Sequence, residues 1–243
     1  MTGPGQGAPA TPATPGAAGG LAVAEADGLV RVIEVPVGTD ELPLLLAVER
    51  AGRRPLAADW TQLPAHEQRA AERMDGVRGP EFVRGRSLLR RLVGQVLLDR
   101  PGALVPLALE PGGRPYLPGL PAGVSLSHTE GCTAAAVRLA GPVGIDVQRP
   151  PDPLDDRLVR RVCGSWAEDV LALPAGPRAR AFARVWSVQE ACVKSLGRGV
   201  LSRPWRIPVP PGADTGRWDE VSWQSLDLAG PAALAVAVPA AAR

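Results

Sequence analysis

Asparagine is absent from this chain, and of its 27 basic residues 26 are arginine and one is lysine, Lys194. Isoleucine occurs only at positions 33, 145 and 207, while Ala, Gly, Pro and Arg are in excess. That pattern fits a GC-rich coding sequence in which arginine has displaced lysine. A surviving lysine is then either chance or a place where guanidinium cannot stand in for ammonium. Lysine can give up a proton when its surroundings lower its pKa, and arginine cannot. The three cysteines (Cys132, Cys163, Cys192) show no CxxC or zinc spacing, which excludes a disulfide framework and fits buried residues in a reduced, cytoplasmic setting. No apolar run approaches the ~20 residues of a membrane span. The first residues lack a charged segment ahead of an apolar stretch, so no secretory leader is expected. A net charge of +2 and an aromatic content of 4% give no electrostatic or stacking case for a nucleic acid or an anionic membrane.

What is present is enough apolar sequence, 45%, for a real core. Residues 1–20 are mostly Gly, Ala, Pro and Thr and read as a tail without a core. Strands are expected at 29–37, 104–109, 123–126, 205–208, 221–227 and 232–238, and residues 44–49 fit a strand or a short helix. Residues 134–139 and 143–147 read as a hairpin joined across Ala140-Gly141-Pro142. Helices are expected at 59–74, 80–99, 154–162 and 179–196. In the helix at 80–99, Phe82, Leu88, Leu89, Leu92, Val93, Val96 and Leu97 form an apolar face, with Arg84, Arg86, Arg90 and Arg91 around it. The fold class is α+β, and its proposed units are an N-terminal subdomain 21–141 and a C-terminal subdomain 142–243.

Several short patterns carry chemistry. Gly112-Gly113-Arg114-Pro115 presents an arginine on a turn, where it contacts either a phosphate or only solvent. Ser127-His128 ends a strand, where hydroxyl and imidazole suit an anion or a satisfied strand end. A Ser/His hydrolase is disfavoured, because no G-x-S-x-G elbow exists. Gly144-Ile145-Asp146 places a carboxylate inside an apolar strand, which is costly unless the charge is paired or bound to metal. Glu190 and Lys194 are four apart, so a helix sets them on one face, one turn from each other. A pair at this spacing is most often a solvated ion pair, but two carboxylates such as Asp146 and Glu190 also suit Mg²⁺ beside a phosphate.

Read together, R-x-L-L-R at 86–90, G-R-P at 113–115, L-S-H at 126–128, G-I-D at 144–146 and W-x-x-x-E-x-x-x-K at 186–194 occur in one order. Over about residues 65–209 the chain resembles the 4′-phosphopantetheinyl transferase superfamily, of the surfactin-synthetase-activating type. The resemblance implies two similar α+β halves about a pseudo-twofold axis, with coenzyme A in the cleft between them, and a monomer. It implies that Asp146 and Glu190 hold Mg²⁺ or Mn²⁺ and that Glu190 is also the general base. Lys194 would contact the phosphates and protonate or neutralise the leaving group. Ser127, His128, Arg114, Arg86 and, by a looser match, Arg78 would contact coenzyme A. The partner would be an apo acyl or peptidyl carrier protein of fatty-acid, polyketide or nonribosomal-peptide assembly.

One departure concerns the metal. Where the family often has D-x-E, position 148 is Gln148, which brings an oxygen ligand without charge. The alternative reading is therefore a coenzyme A-binding member that is slow or inactive and regulatory. A third, nucleic-acid binding through the 84–91 arginines, is opposed by the charge balance.

Overall fold

The computed structural model describes residues 31–35, 37, 44–50, 57–98, 104–198, 202–227 and 232–240. The tail expected at 1–20 lies outside them. Six strands form the first antiparallel sheet: β1 (Arg31–Val35), β2 (Leu44–Arg50), β3 (Ala108–Leu109), β4 (Pro115–Tyr116), β5 (Gly123–Thr129) and β6 (Cys132–Arg138). Their order is β1-β2-β6-β5-β4-β3. Four more, β7 (Gly144–Gln148), β8 (Thr215–Trp218), β9 (Val221–Leu226) and β10 (Ala233–Pro239), form the second sheet in the order β7-β10-β9-β8. The helices are α1 (Ala57–Thr61), α2 (Ala65–Glu72), α3 (Arg78–Leu97), α4 (Asp156–Cys163), α5 (Ala167–Leu171) and α6 (Ala175–Ser195). The fold is α+β, and no described helix is long and apolar enough to cross a membrane.

Alternation along the strands explains how these parts stack. In β6, Ala134 and Ala136 face one core, while Ala135 and Val137 face another. In β10, Leu234, Val236 and Val238 share the first of these cores with Ala134 and Ala136, and Ala235 and Ala237 join a third with α6. The outcome is four layers: α3 on the first sheet, the two sheets face to face, and α6 on the second sheet. The inner strands β2, β6 and β10 are covered on both faces, so most of their residues of either parity are apolar. The small residues Ala235 and Ala237 let α6 lie close to β10. Burial pushes the Cys163 and Cys192 thiols up to about 11 and about 12, so both are unreactive packing residues.

The hairpin expected between residues 134–139 and 143–147 does not form. Strand β6 already pairs with β5 on one edge and β2 on the other, leaving no edge for β7. The chain instead turns at Gly141 (φ 81°) and passes to the other sheet, where β7 pairs with β10. Buried Arg138 stays with this crossing and donates to the carbonyls of Pro142 and Pro239. The true hairpin is β5–β6, closed by Glu130-Gly131 with Gly131 at φ 81°. Three more expectations shift. The helix at 59–74 is two helices, broken before Pro64 because proline cannot donate within a helix. Residues 204–206 form a 3-10 turn where a strand was expected at 205–208. Only Ala108–Leu109 of the 104–109 segment is strand.

Candidate active site

Strand β7 carries Asp146 to α6 because Gly144 permits it. A Cβ at Gly144 would collide with the Ala191 carbonyl oxygen and meet the Ser195 nitrogen at 2.5 Å. The strand therefore touches the helix at the turn between Glu190 and Lys194. Two residues along β7, Asp146 points to the same side and meets Lys194: Nζ lies 2.6 Å from Oδ1. Asp146 is buried while the Lys194 side chain is 31% exposed, so the ion pair is half-buried at the edge of the site.

Ser127 completes the group from the first sheet. Its hydroxyl donates to Asp146 Oδ1 at 2.8 Å. It accepts from Lys194 Nζ at 3.1 Å and from the Val147 amide at 3.2 Å. Ser127 is one rung of a ladder. Ser125 accepts from the Ile145 amide, Ser127 from Val147 and Thr129 from Arg149. These three hydroxyls lie on one face of β5 and satisfy the β7 amides that have no partner in β10. The other face of β5 carries Val124 and Leu126 into the core beneath α3.

Glu190 stands one turn before Lys194 on α6. Burial raises its carboxyl pKa, the nearby Asp146 charge raises it further, and Lys194 opposes both. Its Oε1 is buried and has no hydrogen-bond partner. Two carboxylates that repel each other, one with an orphaned oxygen, suit a hard divalent cation completed by water and phosphate oxygens. No cluster of three or more His, Cys, Asp or Glu residues fit for a metal occurs among the described residues. Asp146 and Glu190 are the two carboxylates brought near each other here. Gln148 turns its amide nitrogen onto the Arg149 carbonyl at 2.8 Å, and no hydrogen bond brings it to the Asp146 group.

A cavity of about 180 Å³ opens beside this pair, with Glu190, Lys194, Ser125, Arg114 and Arg198 in its wall. Arg114 makes a two-point contact with Glu110, at 3.0 and 2.7 Å, across the Gly-rich turn. Its guanidinium lies against Gly197, whose φ of 66° also disfavours any side chain there. Sequence reasoning did not single out Arg198 or Glu110, although Glu110 sits four residues before Arg114 around a turn. A larger cavity of about 500 Å³ lies between residues 149–154 and the start of α6, and none of the sequence-predicted site residues lines it.

The remaining candidates lie elsewhere. His128 points from β5 to the α3 side, where Nε2 is 3.3 Å from Glu81 Oε2, and its side chain is half exposed. Arg86 lies over the Phe82 ring and 3.7 Å from Glu67, a partner it shares with fully buried Arg90. Burial lowers the Arg86 pKa, and the Glu67 carboxylate opposes that shift. Arg78 is exposed at the start of α3. Gln189, beside Glu190, is fully buried and donates to the Val162 and Ile207 carbonyls, which ties α6 to α4 and to the 3-10 turn.

Comparison with known proteins bears on this geometry. Residues 142–228, which hold Asp146, Glu190 and Lys194, match the family model described as the 4′-phosphopantetheinyl transferase superfamily. A stretch of 154 residues, 60% of the chain, is 28% identical to the 4′-phosphopantetheinyl transferase HetI of Nostoc sp. (strain PCC 7120 / SAG 25.82 / UTEX 2576). That match spans 65% of the relative, just under two thirds of its length.

Proposed function

We propose that the chain is a member of the 4′-phosphopantetheinyl transferase superfamily and moves 4′-phosphopantetheine from coenzyme A to a serine of an apo acyl or peptidyl carrier protein, a reading supported by the match of residues 142–228 and by the similarity to HetI. The observation that carries this reading is the convergence of Asp146, Glu190 and Lys194 beside a cavity also walled by Arg114 and Arg198. A pyrophosphate needs cations around it and a base near its phosphorus, and this wall offers both.

Asp146 and Glu190 are the residues that would hold Mg²⁺ or Mn²⁺. Such an ion supplies charge neutralisation for the pyrophosphate. Glu190, whose raised pKa brings it closer to neutrality, takes the proton of the carrier serine hydroxyl. The serine oxygen bonds to the phosphorus that bears the pantetheine arm, the bond from that phosphorus to the bridging oxygen breaks, and 3′,5′-ADP leaves. Lys194, one turn along α6, faces the leaving phosphate and neutralises it or gives it a proton. Arg114 and Arg198 hold phosphate oxygens at the cavity wall. In this reading the enzyme is of the surfactin-synthetase-activating type. It is a cytoplasmic monomer serving polyketide or peptide assembly, with its site between halves 21–141 and 142–243.

The test is intact mass. The protein is incubated with coenzyme A, MgCl₂ and a panel of apo carrier proteins. A carrier gaining one phosphopantetheine, with the gain lost in EDTA and in Asp146→Ala, is the expected result. Bound coenzyme A with no transfer to any carrier would favour the slow or regulatory alternative. Absence of both binding and transfer would overturn the assignment.

A further inference from the structure

We propose that the Ser127 hydroxyl positions the metal-holding carboxylate Asp146. The inference rests on the reading of Asp146 and Glu190 as the metal-holding pair.

A serine hydroxyl has one proton to give and two lone pairs to receive. Both lone pairs of Ser127 are taken, by the Val147 amide at 3.2 Å and the Lys194 ammonium at 3.1 Å. Its proton therefore points at Asp146 Oδ1, 2.8 Å away. The residue is 6% exposed, and its hydroxyl has no second proton to give.

Oδ1 of Asp146 thus has two partners, a cationic one and a neutral one. They respond differently to a divalent cation on the same carboxylate. Like charges repel, so a cation held on this carboxylate would oppose Lys194 at Oδ1, and the partly exposed ammonium has the cavity beside it to turn into. The neutral hydroxyl is not repelled. It is also anchored to the β7 backbone at Val147, one residue from Asp146, so strand and carboxylate are fixed together. Ser127 is then the contact that keeps Asp146 aimed while Lys194 changes partner. Thr129 makes the same kind of bond to β7, at Arg149, but no hydrogen bond to Asp146 or Lys194. It separates holding the strand from aiming the carboxylate.

The experiment measures Mn²⁺ binding to the full chain by the electron paramagnetic resonance signal of free Mn²⁺, with saturating coenzyme A to supply the phosphate oxygens, a protein-free blank and no carrier. Ser127→Ala should weaken binding about 10-fold or more, the usual cost of losing a hydrogen bond to a metal ligand. Ser127→Thr, which keeps the hydroxyl, should restore it, and Thr129→Val should bind as the parent does. Unchanged affinity in Ser127→Ala would overturn the proposal. So would an equal loss in Ser127→Ala and Thr129→Val, which would mean that the ladder only supports the fold. If the parent protein binds no Mn²⁺, the metal reading itself fails and this inference with it. Parent binding with an indifferent Ser127→Ala would remove the inference alone.

Discussion

Replacing Glu190 by glutamine should stabilise the metal-free protein while ending its chemistry. Burial is the main cause of the raised Glu190 pKa, with the Asp146 charge second. Its Oε1 has no hydrogen-bond partner, and an unmatched buried polar atom costs about 1–3 kcal/mol, more when charged. Glutamine keeps the shape, removes the charge and ends the repulsion with Asp146. The pH dependence follows from proton counting. Above the ordinary value of 4.5, the folded protein holds a proton on Glu190 that the unfolded chain has lost. Stability from this group is therefore complete below 4.5 and drains away as pH rises through the raised folded value. Glutamine lacks that slope. In EDTA at pH 8 the Glu190→Gln protein should melt above the parent by about 2–4 °C for each kcal/mol gained. The gap should shrink on going to pH 5. Thermal unfolding followed by circular dichroism at both pH values measures it, and the carrier mass assay checks that transfer is lost. A parent that melts at or above the variant at pH 8, or a gap indifferent to pH, would refute the reasoning.

Lys194→Arg should keep the ion pair with Asp146 and the fold, but lose about 100-fold or more in turnover if the lysine gives a proton. Retained turnover in the mass assay would leave Lys194 an electrostatic role only. Gly144→Ala drives a methyl into the Ala191 carbonyl and should lower the urea midpoint by an amount corresponding to about 1–3 kcal/mol or more. An unchanged midpoint would show that β7 and α6 can part without cost. Arg90→Ala leaves Glu67 charged and buried beside Arg86 alone, and should cost about 3–5 kcal/mol in urea unfolding. Replacing Arg90 and Glu67 together by apolar residues should cost much less.

Local patterns served well where a segment answers to its own periodicity. Helices α3 and α6 and strands β9 and β10 lie within a few residues of where their apolar residues placed them. The placement of Glu190 and Lys194 one turn apart was legible for the same reason, since four residues on a helix is a fixed distance. The failures are long-range. That β7 belongs with β10 depends on a pairing between Asp146 and Ala235, and nothing near Gly141 announces it. The adjacency of Ser127 to Asp146 depends on two sheets meeting, so the bond between them was not legible in the sequence. That Arg86 and His128 lie beside the Glu67 and Glu81 carboxylates was hidden, because these lie 19 and 47 positions away in sequence. The short β8 escaped notice because Gly216 breaks its pattern, and that glycine is needed to let the Trp223 ring lie against it.

The two-sided character of β5 ties assembly to chemistry. Its leucine and valine answer to α3, and its hydroxyls answer to β7. A slip of one position against β6 would turn every residue over at once. Apolar side chains would then meet the unpaired amides of β7, and serines would be pressed beneath the helix. A chain misaligned in this way could not persist as a folded but inactive protein, because the mistake that empties the site also spoils the core. Quality control for catalysis is thus delegated to folding, and surviving molecules carry a correctly aimed Asp146.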